Sequence, residues 1–169
     1  GAVVMNAGAY GGEIGDILET VEVLTVDGKM RVYGQNEMTW GYRKSIFQGM
    51  EAVVISARIR LTPGTSEEIK QRMAEYARAR QSRQPLEMPS AGSIFKRPQG
   101  FYVGPMIEQL GLKGFSIGGA QISTKHAGFI VNKGGASAGD VLELIAHVQD
   151  LVRKNFDVDL QTEIKIVGE

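Results

Sequence analysis

The chain has 169 residues, enough for one substantial core or two small ones, and its 19 basic and 19 acidic residues leave no formal net charge. That balance argues against nucleic acid or an anionic membrane as a partner. The absence of cysteine removes disulfides and thiolate chemistry, and two distant histidines, His126 and His147, do not make a metal cluster, so no metal is expected.

The opening "GAVVMNAGAYGGEIGD" starts in mid-phrase, so the chain is expected to be a piece of something longer. Its glycines and alanines predict a tight loop over residues 1–15. "VEVLTVDGKMRVYG" (21–34) predicts a β-hairpin, with Asp27-Gly28 as a two-residue turn. "EAVVISARIRLTPG" (51–64) alternates, which predicts a half-buried strand with Val53, Ile55, Ala57, Ile59 and Leu61 on its inner face. Pro63-Gly64 ends it, and a domain boundary is placed there.

Thr65 and Glu68 then form a capping-box pattern ahead of a helix that runs to residue 81, with Ile69, Met73, Tyr76 and Ala77 as its apolar stripe. A short helix is expected around 104–112, closed by Gly111 or Gly114. "GFSIGGAQIS" and "HAGFIVNKGG" predict short strands. Ser137 and Asp140 cap a second long helix, whose stripe is Val141, Leu144, Ile145, Val148, Leu151 and Val152. Residues 158–168 alternate and predict a last strand, with Glu163 on its polar face. The class is α+β, divided into residues 1–64 and 65–169. No apolar run approaches the ~20 residues of a membrane span, and no signal-peptide pattern is present, so the expected compartment is the cytoplasm.

Taken one at a time, the polar residues say little. Arg43, next to Tyr42, is suited to gripping a carboxylate, or to stacking on a surface aromatic ring. His126 before an apolar strand fits a structural histidine. Ser93 lies in "PSAGSIFKRP" without the G-x-S-x-G elbow of a nucleophile, so a catalytic role for it would be proton donation. Lys96 and Arg97 can meet a phosphate or simply be solvated.

Five segments occur in order: "NAGAYGGEI" (6–14), "YRKS" (42–45), "QPLEMPSAGSIFKRP" (84–98), "GGAQISTKHAGFIVN" (118–132) and "TEIKIVG" (162–168). Together they resemble the UDP-N-acetylenolpyruvoylglucosamine reductase family, the flavoenzymes that complete UDP-N-acetylmuramate for peptidoglycan. The form "KHAGFIVN" is similar to the subtype without an extra tyrosine-bearing loop. The resemblance implies the later part of an FAD-binding α+β domain over 1–64, followed by a substrate-binding α+β domain over 65–169. It also implies FAD as cofactor, NADPH as hydride donor, and UDP-N-acetylglucosamine enolpyruvate as substrate.

By the same resemblance Arg43 steadies the charge developing on the substrate, Glu163 assists as a protonated donor, and Ser93 is the general acid. Tyr42, Lys96, Arg97 and His126 are implied in substrate binding, with Arg97 standing where the family usually has Asn. Asn6, Ala7, Gly8, Ala9 and Gly11 are implied to lie against the flavin. The family's glycine-rich loop for the FAD diphosphate does not occur in this sequence. The 169-residue chain alone is therefore expected to bind FAD weakly or not at all and to need the missing N-terminal part as its partner. The competing expectation is a binding module that holds a UDP-sugar without redox activity.

Overall fold

The computed structural model describes residues 1–168 and divides into two compact units, Gly1–Met73 and Ala74–Glu169. The division falls inside the first long helix rather than at Gly64.

In the first unit, β1 (Gly8–Ala9) and β2 (Gly12–Glu13) make a two-rung hairpin. Tyr10 (φ 53°) and Gly11 (φ 84°) form its turn. Positive φ at both central residues is the I′ pattern that suits strand twist, and it occurs here rather than at Asp27-Gly28. There, β3 (Leu18–Thr25) and β4 (Met30–Gly34) are joined by the four residues 26–29. Gly28 N–H donates to the Thr25 carbonyl at 3.0 Å, and of the loop residues only Gly28, at φ 77°, is left-handed. This is a tight turn followed by a left-handed residue, not the two-residue turn expected.

A three-stranded antiparallel sheet, in the order β4-β3-β7, is completed by β7 (Ala52–Ile59). Its inner face differs from the expected one. Val23 pairs with Val54 and Glu22 with Ser56, so Ile55 is skipped as a bulge. The bulge breaks the alternation. Ala52 and Val54 face the core of Leu18, Val21, Val23, Tyr33, Met38 and Phe47, whereas Val53 and Ile55 are 62% and 53% exposed. Tyr33 meets Phe47 edge-on at 5.5 Å between ring centroids, which fixes the far end of that core.

Helix α1 (Ser66–Arg83) starts where its cap predicts, with Thr65 Oγ1 and the Glu68 carboxylate 2.6 Å apart. Its stripe is not buried: Ile69, Met73 and Tyr76 are all exposed. The cap, together with glutamates in the first turn and arginines in the last, accounts for the helix in this chain.

The second unit has a four-stranded antiparallel sheet in the order β8 (Ser90–Ser93), β11 (Phe129–Asn132), β10 (Ala120–Ile122), β9 (Ser116–Ile117). Helix α2 (Val103–Gln109) is closed by Gly111 at φ 70°. Gly111 N–H donates to the Glu108 carbonyl and Leu112 N–H to that of Ile107, a Schellman closure with Leu112 buried behind it. Helix α3 (Ala138–Phe156) carries the full capping box, and Leu144, Ile145, Val148 and Val152 of its stripe are buried.

The last predicted strand does not form a ladder. Glu163 N–H donates to the Ile94 carbonyl at 2.7 Å and Lys96 N–H to that of Gln161 at 2.8 Å, around a single bridge between Phe95 and Thr162. The next donor in that register would be Pro98, which has no N–H. Alternation holds from Val158 to Thr162, and residues 165–168 are exposed.

Candidate active site

The predicted residues fall into two groups, one in each unit. In the first unit, the β1–β2 hairpin exposes Ala7, Ala9, Gly11 and Gly12. A Cβ added at Gly11 or Gly12 would meet nothing within 4 Å, so the backbone there is open, with the exposed Tyr10 ring standing beside it in the turn. Gly8 has a different constraint. A Cβ there would lie 2.9 Å from Glu13 Cγ, so its missing side chain serves the hairpin's own packing.

Tyr42 and Arg43 are the two central residues between β5 (Trp40–Gly41) and β6 (Lys44–Ser45). Arg43 takes φ 53°, a position glycine or asparagine normally fills in a type II turn, at a cost of roughly 1 kcal/mol for another residue. Several contacts hold it there. Gln48 Nε2 donates to the Arg43 carbonyl at 2.8 Å, Ser45 Oγ donates to the Val4 carbonyl at 2.7 Å, and the guanidinium lies 5.1 Å from the Tyr42 ring centre. Strain held by surrounding bonds is a common feature of working residues. Neither Gln48 nor the left-handed corner was legible in the sequence, since a turn with Arg at its left-handed position has no compositional signature.

Asn6 is fully buried. Its Nδ2 donates to Glu13 Oε2 at 2.6 Å and to the Gly41 carbonyl at 3.1 Å, while Oδ1 accepts from Gly15 N–H at 3.0 Å.

In the second unit, Ser93 is exposed at the end of β8, paired with Phe129 and preceded by Gly92 at φ 85°. Ile94 and Phe95 then turn into the core at 2% and 4% exposure and anchor the segment. Ile94 is the residue at which three stretches of the chain join. Its carbonyl accepts from Glu163 N–H, and its N–H donates to the Gly128 carbonyl at 3.0 Å. Gly128 N–H in turn donates to His126 Nδ1 at 3.0 Å. The backbone stretches that carry Ser93, Glu163 and His126 are thereby brought together at Ile94 from three distant parts of the chain.

His126 is half-buried and packs edge-on to Phe129. Burial holds its pKa below the usual histidine value, against the opposing pull of its backbone hydrogen bond and of Glu108. The neutral ring is the form that accepts from Gly128. Lys96 is half-buried. Arg97 folds back on its own loop, with Nε donating to the Phe101 carbonyl at 3.3 Å and its guanidinium 3.8 Å from the Tyr102 ring centre. Among the described residues no cluster of acidic and histidine side chains could hold a metal ion, and no helix is long and apolar enough to cross a membrane.

Comparison with known proteins adds three findings. Residues 84–167 match the family described as UDP-N-acetylenolpyruvoylglucosamine reductase, C-terminal domain. Proteins named UDP-N-acetylenolpyruvoylglucosamine reductase from Syntrophomonas wolfei and Pediococcus pentosaceus are 54% and 51% identical over all 169 residues, which make up 56% of either relative. The crystal structure of the Thermus caldophilus UDP-N-acetylenolpyruvylglucosamine reductase aligns with a TM-score of 0.82 at 43% identity, over 98% of this chain and 58% of that one. The chain thus spans a little over half the length of the relatives it matches.

Proposed function

This chain belongs to the UDP-N-acetylenolpyruvoylglucosamine reductase family, and from that premise we propose that, within the intact protein, it takes part in the NADPH-dependent reduction of UDP-N-acetylglucosamine enolpyruvate to UDP-N-acetylmuramate, a step of peptidoglycan synthesis. The observation that carries the reading is 54% identity to a named reductase across every residue of the chain.

The residues fit a flavin. The small residues on either side of Tyr10 in the β1–β2 hairpin would let a flat ring approach the backbone at Ala7, Gly8, Ala9 and Gly11. FAD held there would supply hydride-transfer chemistry, with NADPH as the donor. The chain's own residues do the rest. Hydride arriving at C3 of the enolpyruvyl group leaves negative charge at C2, beside the substrate carboxylate. A fixed cation at that point lowers the barrier, because it is worth most where charge develops. Arg43, held in its strained corner, is that cation.

Ser93 delivers the proton to C2 from the exposed end of β8. Glu163, whose backbone N–H is held by the Ile94 carbonyl, is assigned to steady the charge that develops on the substrate. Lys96 meets the substrate diphosphate, Tyr42 and His126 line the substrate, and Arg97 orders the loop that carries Lys96.

The test separates the two half-reactions of the intact protein. Ser93→Ala should leave reduction by NADPH within about twofold of wild type, while reoxidation by the enolpyruvyl substrate slows by roughly 10² to 10⁴, the usual contribution of a positioned acid. Normal reoxidation in the variant would make Ser93 only a turn residue.

A further inference from the structure

Asn6 belongs to a segment whose small residues offer a surface to the cofactor, yet its own side chain points the other way. It has no exposure, and both amide hydrogens are spent on Glu13 Oε2 and the Gly41 carbonyl. The oxygen is taken by Gly15 N–H. Space on that side is closed as well. A Cβ at Gly15 would stand 2.8 Å from the Trp40 ring and 3.0 Å from Asn6 Oδ1. Asn6 itself sits at φ 43°, a left-handed conformation that asparagine tolerates better than most residues.

Its two neighbours are tied to the same stretch. Ser45 Oγ donates to the Val4 carbonyl, Gln48 Nε2 reaches Met5 Sδ at 3.2 Å, and Asn6 Nδ2 reaches Gly41. Three consecutive residues are therefore stapled to residues 41–48, the segment that carries Arg43 at its corner. The Asn6 bond to Gly41 holds the residue just before Tyr42-Arg43, and the Gln48 bond to the Arg43 carbonyl holds the other end. The bond to Glu13 closes the base of the β1–β2 hairpin. One amide thus joins the hairpin to the Arg43 turn.

We propose that Asn6 is a positioning residue that locks the Arg43 turn to the β1–β2 hairpin, rather than a side chain that touches the cofactor. The proposal rests on the reductase reading for the roles of those two elements. Its content is geometric. With the lock in place, the guanidinium keeps its position relative to the surface on which the flavin lies. Without it, the strained corner relaxes and the cation drifts from the developing charge.

The informative variant is Asn6→Asp in the intact, FAD-loaded protein. It preserves size and the acceptor for Gly15 N–H, but it turns a donor into a carboxylate facing the Glu13 carboxylate and the Gly41 carbonyl. Expected are a rise of at least tenfold in amide exchange over residues 40–48, a shifted emission of Trp40, which is the sole tryptophan and packs at this junction, and a fall of at least tenfold in reoxidation by substrate. An altered flavin spectrum or FAD affinity with unchanged exchange and Trp40 emission would overturn the proposal, because it would mean a direct contact.

Should the variant not fold, the wild-type protein answers by itself. The Asn6 side-chain amide protons should exchange slowly both with FAD bound and after its removal. Protection that vanishes with the flavin would also refute the lock. A wild-type protein inactive toward NADPH and the enolpyruvyl substrate would sink the reductase reading. The exchange and emission measurements would still decide whether Asn6 couples the two elements.

Discussion

Gly119→Ala is the substitution whose cost the structure defines most directly. Gly118-Gly119 forms the two-residue turn between β9 and β10. A Cβ built on Gly119 would stand 2.4 Å from the Ala136 nitrogen, 2.6 Å from the Gly134 carbonyl oxygen and 2.7 Å from Ala136 Cα. All three are backbone atoms, so no flexible side chain can swing away. To regain ordinary contact, residues 134–136 must retreat by roughly 1 Å, since carbon contacts are comfortable near 3.5 Å.

That movement strains the bonds around the turn. Lys133 N–H donates to the Gly119 carbonyl at 2.9 Å, Ala136 N–H to Asn132 Oδ1 at 3.2 Å, and Gly119 N–H to Asp140 Oδ2 at 3.2 Å. Overpacking of this kind costs about 1 to 3 kcal/mol, and each weakened hydrogen bond adds roughly 1 kcal/mol. The expected loss is about 3 to 5 kcal/mol, equivalent to a fall of roughly 15 °C or more in the melting of a unit of this size. Urea unfolding followed by amide exchange in residues 138–156 reads this unit specifically. A loss below about 1 kcal/mol would refute the reasoning and mean that the 134–136 backbone yields freely.

Three further outcomes follow from the same structure. Gly139→Ala, in the first turn of α3, places a Cβ no closer than 3.5 Å to Ser137 Oγ, so it should raise stability by about 0.5 to 1 kcal/mol in the same urea assay, and a loss would mean the cap is disturbed. Leu144→Ala empties a site with no exposure at the centre of the second core and should cost about 2 to 5 kcal/mol in calorimetry; a loss under 1 kcal/mol would mean that the core collapses to fill it. His126 has a folded-state pKa below its unfolded value of about 6.5, so the unfolded chain binds more protons between the two values, and the contribution to stability is present above pH 6.5 and lost as pH falls through the folded value. Unfolding free energy of the second unit should therefore drop from pH 7.5 to 5.5 in wild type and drop less in His126→Gln; equal slopes would remove His126 from the account.

The parts of this fold that were legible in the sequence are those decided within a few residues. The Ser137–Asp140 capping box and the α3 stripe appear in the structure as the spacing predicts, because a cap acts three residues away and a stripe repeats every turn. Gly111 closes α2 for the same local reason. The inner face of β7 was misread because alternation assumes an unbroken register, and the bulge at Ile55 is set by pairing with β3, far away in sequence. The last strand failed because its partner stretch reaches Pro98, which has no hydrogen to give. The stripe of α1 has helical spacing but no buried surface in this chain.

For the candidate site, the sequence by itself determined which chemical groups are present and supplied, through their order along the chain, the family they resemble. Tertiary structure decided which of the stretches that carry them lie side by side. The stretches that carry Ser93, His126 and Glu163 converge on Ile94 only because β8, the β10–β11 connection and the terminal segment are hydrogen-bonded side by side. The resemblance implied that Asn6 faces the flavin, and the fold turns its amide inward, toward Glu13, Gly15 and Gly41. The physical reason is range. Caps, turns and periodicity are energies between near neighbours and are written in adjacent letters, whereas a buried amide or a cross-strand pair takes its partners from stretches that only the folded chain brings into contact.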